Sequence, residues 1–444
     1  MRTDLRTYVD AVQEWCRTPI SDTEFGRAEE LVVDTVGCAL AGASEGVASR
    51  LHRAYAGQAG DSPTIGSAVR LVPEAALIVN GAVIRALDFN DVASYRNNTH
   101  PSEQVIPIAL ALGARSAWSG REFLAAVAYG YRIYLTTGQC WDGLLAKGWA
   151  PAATLGAISG AAFLSHLTDA EPDVFENAVA IAAATAPTLG AVFSGGISDT
   201  KSTASGMASR SAWAAFELAR GGVRGPAGVF EAPGGFNTMV GGNFSAGAEL
   251  LTCTDVTVKA FPAVFTAHAA IAAACEIAAD DGWDPDAVTS MTVEVPPKVA
   301  ASAAGPDRWS VTNRESAQFS LPLCVATALA HGRCGLAELG VNALNEPITQ
   351  RFLRMMSVKE DQRWSGYLGG RVTVHRADGT TRTVEVETPP GHPSNPMAPS
   401  LLWDKFHSLT GGSGTEVEAA LRSLTGASSL DELVRCVTTV ADRT

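Results

Sequence analysis

From Asp22 to about Gly247 the apolar positions recur at helical spacing, interrupted by loops rich in Gly, Pro and Asn. The first clear run, Phe25–Ala41, puts Leu31, Val32, Val36 and Leu40 on one face and stops at Gly42, a helix-ending residue. The same spacing predicts helices over Pro73–Leu87, Val105–Trp118, Arg121–Tyr134, Ala153–Leu167, Val174–Ala186 and Ser202–Arg220. Small residues dominate these faces, as in Ala157–Ala162 and Ala178–Ala186, and small side chains let helix axes approach closely. Beyond Lys259 the period changes. Val288–Val295, Arg371–His375 and Arg382–Thr388 alternate and are β-branched, and Asp378-Gly379 between the last two signals a hairpin. Helices over Thr266–Ala278 and Leu321–Ala330 lie among these strands, and Leu401–Leu409, Thr415–Leu424 and Leu430–Ala441 return to helical spacing. The pattern therefore predicts a mainly α protein. A large all-helical domain covers residues 1–262, a smaller α+β domain covers 263–397, and helices in 398–444 rejoin the first domain.

Length agrees with this division, because 444 residues exceed what one hydrophobic core usually organises. With 46% hydrophobic and 18% charged residues, the composition is that of a folded globular chain. The longest apolar stretches, such as Ala180–Ala191, are too short to span a bilayer, so no membrane association is expected. Met1–Tyr8 mixes Arg with Asp and lacks an apolar core, which argues against a signal peptide and for a cytoplasmic protein. A net charge of −13 excludes an ordinary nucleic-acid binder and means that an anionic substrate needs a local basic pocket. The eight cysteines form no C-x-x-C pair and sit mostly among Ala, Val and Leu, as small buried hydrophobes do. Lysine is scarce, 6 against 27 Arg, and three of the six lysines fall in the polar segments that follow.

The densest polar segment is Asp88-Phe-Asn-Asp91 followed by Thr99-His100-Pro-Ser102. It ends one predicted helix and precedes another, so the loop is held at both ends. Asp88, Asp91 and His100 offer general acid and base groups, while Arg96 could meet a carboxylate, although a solvated loop arginine accounts for it better. Capping is the competing account, since Asp91 and Ser102 are ordinary turn and N-cap residues. A second segment, Gly195–Gly206, places Lys201 where a glycine-rich loop becomes a helix, so that its ammonium and the helix N-terminus could face one anion. Lys147 (Ala146-Lys-Gly-Trp149) and Lys259 (Val258-Lys-Ala-Phe-Pro262) each stand beside an aromatic and a backbone breaker; each alone is as well explained structurally. His268, on an Ala-rich helix, fits either a core histidine or a site residue. Metal-ligand spacings such as H-E-x-x-H, a P-loop and a G-x-G-x-x-G are absent from the sequence, so neither metal nor nucleotide cofactor is expected. Gly42-Ala-Ser-Glu-Gly46 has the letters of a nucleophile elbow but follows a helix rather than a strand.

In this order the segments resemble the MmgE/PrpD family of 2-methylcitrate dehydratases, cis-aconitate decarboxylases and iminodisuccinate epimerases. Leu87-Asp-Phe-Asn-Asp91 with His100-Pro-Ser, the helix-starting Lys201, and Lys259-Ala-Phe-Pro262 with His268 are similar to family motifs. Gly222–Pro226, Ala317–Pro322 and Gly391–Met397 extend the similarity over nearly the whole chain. The resemblance implies a helical domain with an inserted α+β lid, a homodimer, no cofactor and an active site between domains. It places Asp88, His100, Lys201 and Lys259 at catalytic positions, with Asn90, Asp91, Arg96, Lys147 and His268 around the substrate. Three departures each remove a polar side chain: Val92 where Thr is common, Ala150 where His is frequent, and Val264 where some relatives are polar.

The activity so implied is a lyase reaction beside a carboxylate, foremost dehydration of a small hydroxy-carboxylate. His100 and Asp88 would exchange protons while Lys201 and Lys259 hold the carboxylate. Decarboxylation or epimerisation shares the same enolate-like intermediate. A non-catalytic binding scaffold is the alternative of another class, motivated by Ala150 and Val264.

Overall fold

A computed structural model describes residues 3–95, 97–185, 187–193, 198–340 and 343–439. Helix dominates, and the backbone divides into two compact units. The first comprises Met1–Ala86, Asn90–Val256 and Ala398–Thr444, and the second Leu87–Phe89 with Thr257–Met397. Among the described residues no single helix is long and apolar enough to cross a membrane.

The first unit is built on helices whose starts are written in the sequence. Ser21 and Glu24 form a reciprocal capping box for Asp22–Gly42, and Ser119 and Glu122 do the same for Gly120–Cys140. Pro73 and Pro151 open the next two at the position where a missing N–H costs nothing. Small residues then set how near the axes come. A Cβ built on Gly206 would lie 2.8 Å from the Ile78 carbonyl oxygen, and one on Gly81 would lie 2.9 Å from the Gly206 Cα. Helices Pro73–Arg85 and Asp199–Arg220 thus cross backbone to backbone. The same Gly81 position faces the Glu103 carbonyl at 2.9 Å, which brings the start of Ser102–Ser116 to that crossing.

The C-terminal helices belong to this unit through specific contacts. Lys405 on Pro399–Thr410 pairs with Asp34 at 2.6 Å, both buried, and Phe406 lies over Gly37. The unit is not purely helical, however. Ala59–Thr64 pairs with Ser67–Leu71, and Ala93–Ser94 with Asn98–Thr99, both antiparallel. The first hairpin reads as polar loop because a neighbouring helix holds it: Asn80 accepts from the Ile65 N–H (2.8 Å) and donates to the Pro63 carbonyl (3.0 Å).

In the second unit a four-stranded sheet has the order Met356–Glu360, Val288–Val295, Gly370–Arg376, Thr381–Val386. The last pair is the hairpin foreseen at Asp378-Gly379, where Gly379 takes the left-handed backbone it requires (φ 84°). Val288, Met291, Val293 and Val295 point inward and pack with Val372 and Val374 against helices His268–Ala278 and Leu321–His331. Met356–Glu360 pairs parallel to Val288–Val295 and was not legible. It is an edge strand, exposed over most of its length, so it lacks an apolar alternation.

Candidate active site

Residues 90–102 of the first unit form a loop tied down at several points. The short Ala93–Ser94/Asn98–Thr99 pair closes it, and Asn97 donates to the carbonyls of Gly138 and Trp141 (2.9 and 2.8 Å). Asp91 is its buried anchor. The carboxylate accepts from the Tyr131 hydroxyl at 2.7 Å, from the Ser102 backbone N–H at 3.3 Å, and from the Ser102 hydroxyl. Ser102 opens a helix whose N-cap, Pro101, has no capping side chain, so Asp91 supplies the missing acceptor from the loop. Full burial nevertheless raises the Asp91 carboxyl to about 6, against the lowering effect of the Ser102 and Tyr131 hydrogen bonds. The capping account from the sequence is therefore right for Asp91, and it goes together with a perturbed acid.

His100 completes the loop. Its Nδ1 lies 2.7 Å from the Asp91 main-chain carbonyl. A carbonyl can only accept, so Nδ1 carries a proton, and whenever the ring is neutral its lone pair is on Nε2. Asn90 is fully buried; its amide donates to the Ser102 hydroxyl (3.2 Å), while its Oδ1 has no hydrogen-bond partner among the described residues. An unsatisfied buried acceptor of this kind is a seat for a donor.

Beneath this loop lies a group the sequence reading passed over. Glu103 is buried, with Arg85 at 3.2 Å and a hydrogen bond from the Ser205 hydroxyl. Burial lifts its carboxyl to about 7, with Arg85 and then Ser205 opposing the shift. Lys201 sits in the first turn of Asp199–Arg220, only 4% exposed, and its charge also bears on Glu103. The cation expected at a helix start is thus buried, with its charge acting on Glu103. Glu103 was missed because it follows His100-Pro-Ser on an apolar helix, and Tyr131 because it lies inside a run read as core; neither belongs to a recognisable spacing.

The second unit holds its own cluster. Asp88 has a left-handed backbone (φ 49°), a conformation that costs a non-glycine residue about 1 kcal/mol or more. The Lys259 ammonium clamps it, donating to the Asp88 carbonyl (2.8 Å), the Asp88 carboxylate (3.2 Å) and the Ala263 carbonyl (3.0 Å). Lysine has three donors, and these three acceptors engage them all. Where a substrate carboxylate was expected, the Lys259 ammonium here holds the Asp88 turn. Gln318 supports the same turn through the Leu87 carbonyl (2.5 Å) and the Pro262 carbonyl (2.9 Å). His268 is fully buried between Phe261 and Phe265, and its Nε2–H donates to the Ala263 carbonyl at 3.2 Å. This is the core-histidine placement rather than the substrate-facing one.

Two expected substrate contacts are not supported in this way. Lys147 is exposed and clamps its own loop, donating to the Asp142 (3.1 Å) and Gly241 (2.8 Å) carbonyls. Arg96 lies outside the described residues. Val92 and Ala150 are buried, so the polar side chains they replace would have been interior groups. All eight cysteines are free thiols and seven are buried, as their surroundings indicated.

Fold and side chains together define a mainly helical, two-unit protein whose larger unit buries Asp91, His100 and Glu103. Residues 6–248 match the MmgE/PrpD N-terminal domain and residues 261–429 the MmgE/PrpD C-terminal domain, and the chain belongs to the MmgE/PrpD family. Over 413 residues it is 24% identical to cis-aconitate decarboxylase of Homo sapiens, covering 87% of this chain and 83% of that protein. Over 451 residues it is 25% identical to cis-aconitate decarboxylase of Aspergillus terreus, covering 92% and 91%. A cis-aconitate decarboxylase-like protein of Aspergillus oryzae is 32% identical over 227 residues, 48% of this chain and 46% of that one.

Proposed function

We propose that the protein is a lyase that cleaves a bond beside a carboxylate of a small polycarboxylic acid, with decarboxylation as the favoured reaction. The observation that carries the proposal is the His100 ring, fixed through Nδ1 to the Asp91 carbonyl. It stands in the same unit as the buried Lys201 ammonium. In a decarboxylation the C–C bonding pair stays on carbon as CO₂ leaves, and a proton must reach that carbon; protonated His100 supplies it. Lys201 meets the remaining negative charge, in a setting where burial strengthens the attraction. The relatives support this choice, since those named above are cis-aconitate decarboxylases or similar to them. Dehydration is the second reading, favoured by the tautomer itself: neutral His100 with its lone pair on Nε2 is the form that removes a C–H proton.

Proton NMR in D₂O with cis-aconitate, 2-methylcitrate and citrate separates the two. A decarboxylated product with deuterium at carbon supports the first reading, and a new alkene without CO₂ supports the second. His100→Ala is expected to abolish turnover with the helical circular dichroism unchanged, and full activity in that variant would refute the assignment.

A further inference from the structure

Asp91 takes part in the site with both of its halves. Its main-chain carbonyl receives the His100 Nδ1 proton, and its carboxylate is fastened to Tyr131 and Ser102. Fastening the side chain holds the Asp91 Cα in place, and with it the point from which the carbonyl reaches His100. Ser102 moves with the loop, as the first residue of the helix that follows it. Tyr131 does not. It projects from the middle of the 21-residue helix Gly120–Cys140, is fully buried, and is fixed to a helix capped at its own N-terminus. We propose that Asp91 and Tyr131 form a positioning pair that sets the tautomer and reach of His100, with Tyr131 as the fixed point. The proposal rests on His100 being the acid–base residue of the lyase.

The pair has a consequence in pH. As a carboxylate Asp91 accepts from both hydroxyls at once; protonation makes one oxygen a donor, so the hydroxyl on that side must turn to accept and the bond loses its charge assistance. Its charged and titratable neighbours are Tyr131 and Tyr134 on Gly120–Cys140, Glu103 on Ser102–Ser116, and Asp34 on Asp22–Gly42. Asp34 acts on Asp91 in the same direction as burial, toward the protonated form, and it is paired with Lys405. Below pH about 6 the anchor therefore loosens, and activity acquires an acid limb that belongs to Asp91.

Tyr131→Phe tests this with little change of volume. Removing the hydroxyl takes away a hydrogen bond that favours the charged form, so the acid limb should move to higher pH. Turnover should fall roughly tenfold or more with KM changed less than about twofold, the pattern of a misplaced proton-transfer group. Histidine-selective ¹⁵N NMR reads the His100 tautomer without any substrate and should show loss of the single Nδ1–H form. An unchanged tautomer together with an unmoved acid limb would overturn the proposal. Should Tyr131→Phe fail to fold, Ser102→Ala is read in the same two ways. Turnover surviving in His100→Gln would instead refute the acid–base role of His100 on which the pair rests, and the tautomer measurement keeps the two failures apart.

Discussion

Lys259→Met isolates what the clamp on Asp88 contributes, because methionine keeps the length and flexibility of the side chain and removes only the ammonium. The wild-type ammonium has three acceptors at 2.8, 3.2 and 3.0 Å, and both partners of the ion pair are 1% exposed. Removing one member of a buried pair typically costs about 3–5 kcal/mol, mostly because the other charge is stranded. A ceiling on that cost follows from acid chemistry. The stranded Asp88 can take up a proton, and holding an ordinary aspartate protonated at pH 7 costs about 4 kcal/mol, from three units at 1.36 kcal/mol each. At pH 5 the same step costs only about 1.5 kcal/mol. The destabilisation by Lys259→Met should therefore be about 3–4 kcal/mol at pH 7 and roughly half that at pH 5. Adding Asp88→Asn should restore most of it, since Asn is neutral and tolerates the left-handed backbone that Asp88 adopts (φ 49°). Urea unfolding of the four proteins of the cycle, at both pH values, gives the coupling directly. A single variant within about 1 kcal/mol of wild type at pH 7, or a double variant no more stable than Lys259→Met, would show that the clamp does not hold the turn.

Two further outcomes follow from burial and close approach. Asp91 titrates at about 6 in the folded protein against an ordinary 3.8. A raised acid stabilises the fold fully below about pH 4 and loses that contribution as pH rises through about 6, a span worth about 3 kcal/mol. Asp91→Asn should flatten the fall in stability between pH 4 and 6, as seen in thermal midpoints; a slope as steep as wild type would place the titration elsewhere. Gly206→Ala puts a methyl group 2.8 Å from the Ile78 carbonyl oxygen, so the helices must part. A loss of about 1–3 kcal/mol is expected from such overpacking. Because Lys201 and Ser205 ride on the same helix, kcat should fall along with it, and unaltered kcat in a destabilised Gly206→Ala would uncouple the crossing from the site.

What could be read in the sequence and what could not divide along a physical line. Periods of 3.6 and 2 announce elements with one buried face, and this is why the long helices from Asp22 onward, the Val288–Val295 strand and the Asp378-Gly379 hairpin were legible, whereas Asp4–Trp15 and Gly46–Ala54 were not read. Ala59–Thr64 and Met356–Glu360 were not, because their partners rather than their own side-chain patterns make them strands. Chemistry obeys the same rule. His100, Asp91 and Lys201 stood out because polar residues clustered between apolar helices are conspicuous as letters. Glu103, Arg85, Ser205 and Tyr131 sit singly on helices that look like core, and only the Gly81/Gly206 crossing and the fold of the loop bring them to the others. Lys259 shows the converse. Its letters suggested a cation for a substrate, whereas position gave it a strained aspartate to hold, a task visible only when φ of Asp88 and the three acceptors are known together. Sequence therefore nominates the groups that could do acid–base work. Burial and backbone geometry decide which of them face the reaction and which keep the others in place.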